Sequence, residues 1–187
     1  MIGYDLPVSL CVGGKEYPIR TDFRDILNIL IAMNDPELDD DTKMIVMLKV
    51  MYPGWREIIP EHTEEAIRKA SEFIDCGFQD DGGKTPRVID WKEDANIIIP
   101  AINAVAHKEV RAEKSLHWWT FMGYFSEIRE SLFSTVLGIR LKKKKGKKLE
   151  QWEKDFYKEN RNIVDMRTQE TEEIKQEKEA ILKWLDQ

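Results

Sequence analysis

SLHWWTFMGYFSEIRESLFSTVLGIRLKKKKGKK, residues 115–148, holds the chain's densest apolar surface and its densest positive charge. Trp118, Phe121, Met122, Phe125, Ile128, Leu132, Val136 and Ile139 recur in steps of three and four, a spacing that predicts one long helix. Leu116, Trp119, Tyr124, Phe133 and Leu137 add apolar surface off that stripe, so the helix should be central and packed on several sides. Trp118, Trp119, Phe121, Phe125, Ile128 and Leu132 are its expected core residues. Each large side chain fully buried contributes roughly 1.5–3 kcal/mol. Gly123 costs about 1 kcal/mol against alanine in mid-helix. Its missing side chain would let another backbone come close.

The same stretch ends in Arg140, Lys142, Lys143, Lys144, Lys145, Gly146, Lys147 and Lys148. Cations suit the negative end of a helix dipole, and Gly146 is the expected stop. The formal net charge is −6, but it is unevenly spread. Residues 1–139 carry 15 basic and 24 acidic side chains, residues 140–148 carry seven basic and none acidic, and residues 149–187 carry seven and 11. One basic island in an acidic chain disfavours general nucleic-acid binding, which needs many cations reaching the phosphates together. The island suits an acidic protein surface equally well.

Before the central stretch, residues 8–12, Gly13-Gly14 and residues 15–19 read as a short β-hairpin, with the glycines supplying the positive φ of a tight turn. Thr21 or Asp22 can cap a helix through Phe23, Ile26, Leu27, Leu30 and Ile31. Asp39, Asp40 and Asp41 precede a second through Met44, Ile45, Met47, Leu48 and Met51. A third, from about Glu61, carries Ala66, Ile67, Ala70, Phe73 and Ile74. Residues 1–78 thus form an N-terminal unit and residues 79–89 a linker, marked by Gly-Gly and Pro in QDDGGKTPR. Residues 90–148 form a central unit, which opens on Asp90-Trp91 and a helix through Ile98, Ile99 and Ile102 that contains Pro100.

Residues 149–187 are read as a long C-terminal helix with Leu149, Trp152, Phe156, Ile163 and Met166 on its apolar side. The pattern then thins to Ile174, Ile181, Leu182, Trp184 and Leu185 among dense charge, so the end needs a partner helix or remains loosely held. The overall expectation is a mainly α protein, a helical bundle with a short N-terminal hairpin.

Chemistry-bearing patterns are sparse. Gly83-Lys84-Thr85 imitates a phosphate loop, but it follows a helix, the spacing from Gly77 is one residue too long, and Asp80 and Asp81 would repel phosphate. His62, His107 and His117 are too far apart for a local metal motif. The three aspartates lack the alternating ligands of a calcium loop. No nucleophile and base stand at recognisable spacing, so neither an enzyme nor a cofactor is expected. Cys11 and Cys76 form no CxxC and sit among apolar neighbours, so both are read as buried and reduced. No secretory leader and no apolar run of membrane-spanning length are read, which points to a soluble protein.

Two features suggest contact with a partner: the lysine island, and the weak seam behind it. Lys142, Lys143, Lys144, Lys145, Lys147, Lys148, Trp152, Phe156, Ile174, Ile181, Trp184 and Leu185 are the candidate partner-binding residues. LHWWTF (116–121), FSTVLGIR (133–140) and KGKKLEQWEKDFYKENR (145–161) resemble the bacteriophage Gp-fifteen family. Asp90-Trp91, AINAVA (101–106), Tyr52-Pro53, Ile59-Pro60 and Cys76-Gly77 are similar to the same pattern.

The resemblance implies a tail-assembly chaperone of long-tailed phages and prophages of Gram-positive bacteria. Its partners would be the tape-measure protein, the tail-tube protein or a second assembly chaperone, with a homo-oligomer also compatible. It would act in the host cytoplasm and be absent from the mature virion. On this view residues 149–187 cover or complete a groove on the central helix. The competing readings are a nucleic-acid-binding module using the lysines with Trp152, Phe156 and Tyr157, and a structural tail component.

Overall fold

The computed structural model describes residues 5–77 and 87–166. Strand β1 (Ser9–Val12) pairs antiparallel with β2 (Lys15–Pro18), Ser9 opposite Pro18 and Val12 opposite Lys15. Gly13 and Gly14 turn the chain at φ +57° and +77°. At Gly13 a β-carbon would also run into the His62 ring, so glycine is required twice over.

Asp22 starts helix α1 (Phe23–Met33), its carboxylate accepting from the Arg24 N–H. Its other oxygen accepts from the Leu116 N–H at 3.0 Å, while Trp118 N–H donates to the Thr21 carbonyl and Phe23 N–H to that of Leu116. One side chain therefore caps α1 and ties it to the entry of the helix that starts at Trp118, across 94 residues of sequence. Asp39 caps α2 (Asp40–Met51), and α3 (Thr63–Ile74) ends where Cys76 and Gly77 take positive φ. Helix α4 (Ala95–Ala106) buries Ile98, Ile99, Ala101 and Ile102, which leaves Pro100 on its exposed side.

The central stretch is two helices, which corrects the expected single one. Helix α5 (Trp118–Ser126) ends at Glu127, and α6 (Leu132–Lys144) begins after Ser131. Ser131 is fully extended, and its hydroxyl and that of Ser134 each accept the other residue's backbone N–H in a capping box. The restart changes which residues face inward: Phe133, Val136, Ile139 and Arg140 are buried, whereas Leu132 is 47% exposed and no core residue. Trp118 and Phe121 are buried, and Trp119, Phe125 and Ile128 pack half-buried against the core.

The expected long C-terminal helix also breaks. Helix α7 (Gln151–Glu159) stops at Asn160, whose side-chain amide donates to the Phe156 carbonyl, and α8 (Arg161–Val164) follows. Cys11 is exposed, against expectation, because the twofold alternation of β1 turns Leu10 and Val12 inward and Cys11 outward. Met44 and Ile45 likewise face out from α2.

One core joins the two halves of the sequence. It runs from Val12, Phe23, Ile26 and Ile29 through Tyr52 and Phe73 to Ile102, Trp118, Phe121 and Phe133. Phe23 and Phe121 stack with ring centroids 4.5 Å apart. A smaller cluster of Val136, Ile139 and Val164, flanked by Leu149, Phe156 and Ile163, seats α7 and α8 on α6. Val88, at the end of the expected linker, is buried.

Candidate partner-binding site

The double tryptophan closes one helix and walls a groove. Trp118 Nε1–H donates to the Ile74 carbonyl and Trp119 Nε1–H to the Phe73 carbonyl, both at 2.8 Å. These carbonyls stand at the C-terminal end of α3, where intrahelical donors run out; the Phe73 carbonyl also accepts from the Cys76 N–H, and the indoles add a donor to each. The pair thereby clamps α5 against α3.

Beside this junction lies an open groove of about 560 Å³, lined by Leu30, Ile74, Trp91, Trp118, Trp119 and Met122, with Gly123 in its wall. A β-carbon at Gly123 would meet nothing within 4 Å, so the wall is recessed there. Cys76 also lines it, and burial followed by the nearby Asp75 charge pushes its thiol up to about 11, so it stays protonated.

The lysine island divides in two. Lys142 Nζ–H donates to Glu153 Oε1 at 2.6 Å and approaches Glu150 at 3.8 Å; Lys143 pairs with Asp165 at 2.6 Å and lies 3.8 Å over the Tyr157 ring. The hydrogen bond from Lys142 holds the Glu153 carboxyl below its ordinary range and, in return, raises Lys142 above its own. These two lysines fasten α7 and α8 to α6. Lys144, Lys145, Lys147 and Lys148 are exposed and make no ion pair among the described residues. Trp152 is 55% exposed and Phe156 half-buried in the small cluster, so of these two residues, four apart on one side of α7, only Phe156 is seated in that cluster. Ile174, Ile181, Trp184 and Leu185 lie outside the described residues.

Of residues 149–187, expected to cover or complete a groove on the central helix, residues 167–187 lie outside the described residues and residues 149–166 pack on α6. What holds them there is a residue that spacing assigned to the basic island. Arg140 is buried, and its guanidinium makes a two-pronged pair with Asp94 at 2.6 and 2.9 Å. It also donates to the carbonyls of Val88, Ile163 and Val164 at 2.8–2.9 Å. Asp94 accepts from the Asp90 N–H as well. The available signal was positional: Arg140 falls on the face of Phe133, Val136 and Ile139.

The family model for Bacteriophage Gp15 protein matches residues 4–166. The chain belongs to this family. The match takes in the groove, the lysines and the Arg140 junction, so all three are features of a phage Gp15 protein. No curated protein and no solved structure matches the chain. Among its described residues no helix is long and apolar enough to cross a membrane, and no group of His, Cys, Asp or Glu could hold a metal ion.

Proposed function

We propose that this Gp15 family member is a non-catalytic tail-assembly chaperone that binds the tape-measure protein, and through it tail-tube subunits, in the host cytoplasm. The observation that carries the reading is the apolar groove between α1, α3 and α5. Its volume falls in the range of roughly 300–1,000 Å³ typical of ligand sites, and its lining is mostly apolar and aromatic, as in grooves that take an apolar side chain of a partner. The charged residues exposed on α3 and α7 would keep such a complex dispersed.

Co-expression with overlapping fragments of the phage's tape-measure protein is the test. At least one fragment should move from the insoluble to the soluble fraction and co-purify with the chain. Failure across the whole tape-measure length refutes the proposal. A chaperone should also be missing from purified virions by mass spectrometry, where a structural tail component would be present.

One observation favours a second reading. Lys144, Lys145, Lys147 and Lys148, free of ion pairs among the described residues and followed within a few residues of sequence by the exposed Trp152, fit a polyanion. A mobility-shift titration with single- and double-stranded DNA at physiological salt decides it; no shift removes nucleic acid.

A further inference from the structure

The groove on α5 does not stand alone. A second pocket, of about 300 Å³, opens on the hairpin side of the α3 C-terminus and is lined by Pro7, Leu10, Cys11, Phe73 and Gly77. Trp119 lines both. The two hollows therefore lie on either side of one indole, and that indole is held in place by its bond to the Phe73 carbonyl and by stacking on the Phe73 ring, centroids 5.8 Å apart. Leu6 and Val8, the chain neighbours of the lining residue Pro7, leave 44% and 64% of their area in water.

From the paired hollows we infer that the partner is a cationic amphipathic helix laid across Trp119, with large apolar side chains from successive turns entering the two pockets. The inference rests on the chaperone reading and gives it a surface and a chemistry. The recess at Gly123 admits the incoming backbone, as close helix contacts require. The charge follows from the rim. Among the lining residues the carboxylates of Glu16, Glu72 and Asp75 stand against the single ammonium of Lys69, with Arg68 joining Lys69 on Glu72. The C-terminal ends of α3, at Ile74, and α5, at Ser126, add the negative poles of their dipoles to the groove. A helix with lysine or arginine beside its apolar face meets both demands, as in groove-bound helices read at i, i+3, i+4 and i+7.

Each cysteine marks one pocket, Cys11 the hairpin side and Cys76 the α5 side, so the wild-type chain carries its own footprint. The probe is a synthetic helical peptide of leucine and lysine with leucine at that spacing. Controls are a peptide of the same composition in scrambled order and one with glutamate for lysine. Maleimide labelling, read site by site by mass spectrometry at physiological salt, should slow about tenfold or more at both cysteines with the probe, and not with either control. Gly123→Leu adds bulk in the groove at a position where a β-carbon meets nothing within 4 Å and replaces a helix-weakening residue, so the variant should fold normally and bind the probe about tenfold more weakly.

Binding without protection of both cysteines, equal binding of the scrambled peptide, or undiminished binding by Gly123→Leu overturns the inference. So does protection of Cys11, the exposed thiol, in the free chain: constant on dilution, it means that the chain covers its own surface there; rising with concentration, it means that a second copy does. Tape-measure fragments solubilised equally well by Gly123→Leu would leave the chaperone reading standing and remove this surface from it. Probe binding with no tape-measure fragment solubilised would do the reverse.

Discussion

Replacing Arg140 by alanine should destabilise the fold by about 4 kcal/mol. The guanidinium satisfies five acceptor contacts, two on Asp94 and one each on the carbonyls of Val88, Ile163 and Val164. Removing it leaves the Asp94 carboxylate, only 4% exposed, with the Asp90 N–H as its one remaining partner among the described residues. Breaking a buried ion pair from one side costs about 3–5 kcal/mol, and each stranded carbonyl would add about 1–3 kcal/mol if kept dry. A small cavity of about 100 Å³ already borders Asp94, Arg140 and Ile163, so water can enter and the carbonyl contribution should be mostly recovered.

Against a typical total of about 5–15 kcal/mol, the loss is a large fraction. Urea unfolding followed by tryptophan fluorescence measures it. The double change Arg140→Met with Asp94→Leu removes both charges together and should be more stable than Arg140→Ala alone. Hydrogen exchange should speed up first in residues 161–166. A loss under about 1 kcal/mol for Arg140→Ala, or strict additivity of the two sites, would refute the reasoning.

Ser131→Ala should lower stability by about 1 kcal/mol, measured by the same unfolding curves, because the capping box that restarts the helix at α6 loses its hydroxyl. Lys142→Gln should lower the melting temperature by stranding the buried Glu153, whereas replacing Lys144, Lys145, Lys147 and Lys148 together should leave it unchanged. Burial alone would raise the Asp22 carboxyl, but the Leu116 and Arg24 N–H groups and the Arg24 guanidinium outweigh it and hold it below its ordinary value. Its contribution is therefore full above the unfolded pKa of about 3.9 and disappears as pH falls through the lower folded value. The stability gap between wild type and Asp22→Asn should then shrink between about pH 7 and about pH 2 in parallel melts.

The hairpin, the three N-terminal helices and their caps were legible because each is set by neighbours in sequence: Gly13-Gly14 for the turn, Asp22 and Asp39 for the helix starts. The break at residues 127–131 was not. The apolar residues on either side keep a helical phase through Phe125, Ile128, Leu132 and Val136, and the box that restarts the chain uses serine where glutamate would have been a clearer sign. The groove escaped for a different reason. Leu30, Ile74, Trp91 and Met122 come from separate parts of the chain, and the packing of α1, the end of α3 and Trp91 around α5 brings them together. Arg140 was hidden by its company, since a cation beside six lysines reads as solvated until its facing carbonyls are known.

The Arg140 junction also has an order of events built into it. A chain made N-terminus first delivers the guanidinium 24 residues before Val164, the last carbonyl that it needs. At about 5–20 residues per second, that is a wait of roughly 1–5 s with a charged group facing an unfinished socket. Products cut short before Val164 keep that socket open and also lack the Val164 side chain of the small cluster and the Asp165 partner of Lys143, so a nascent or truncated protein differs from the finished one along the α6–α8 contact.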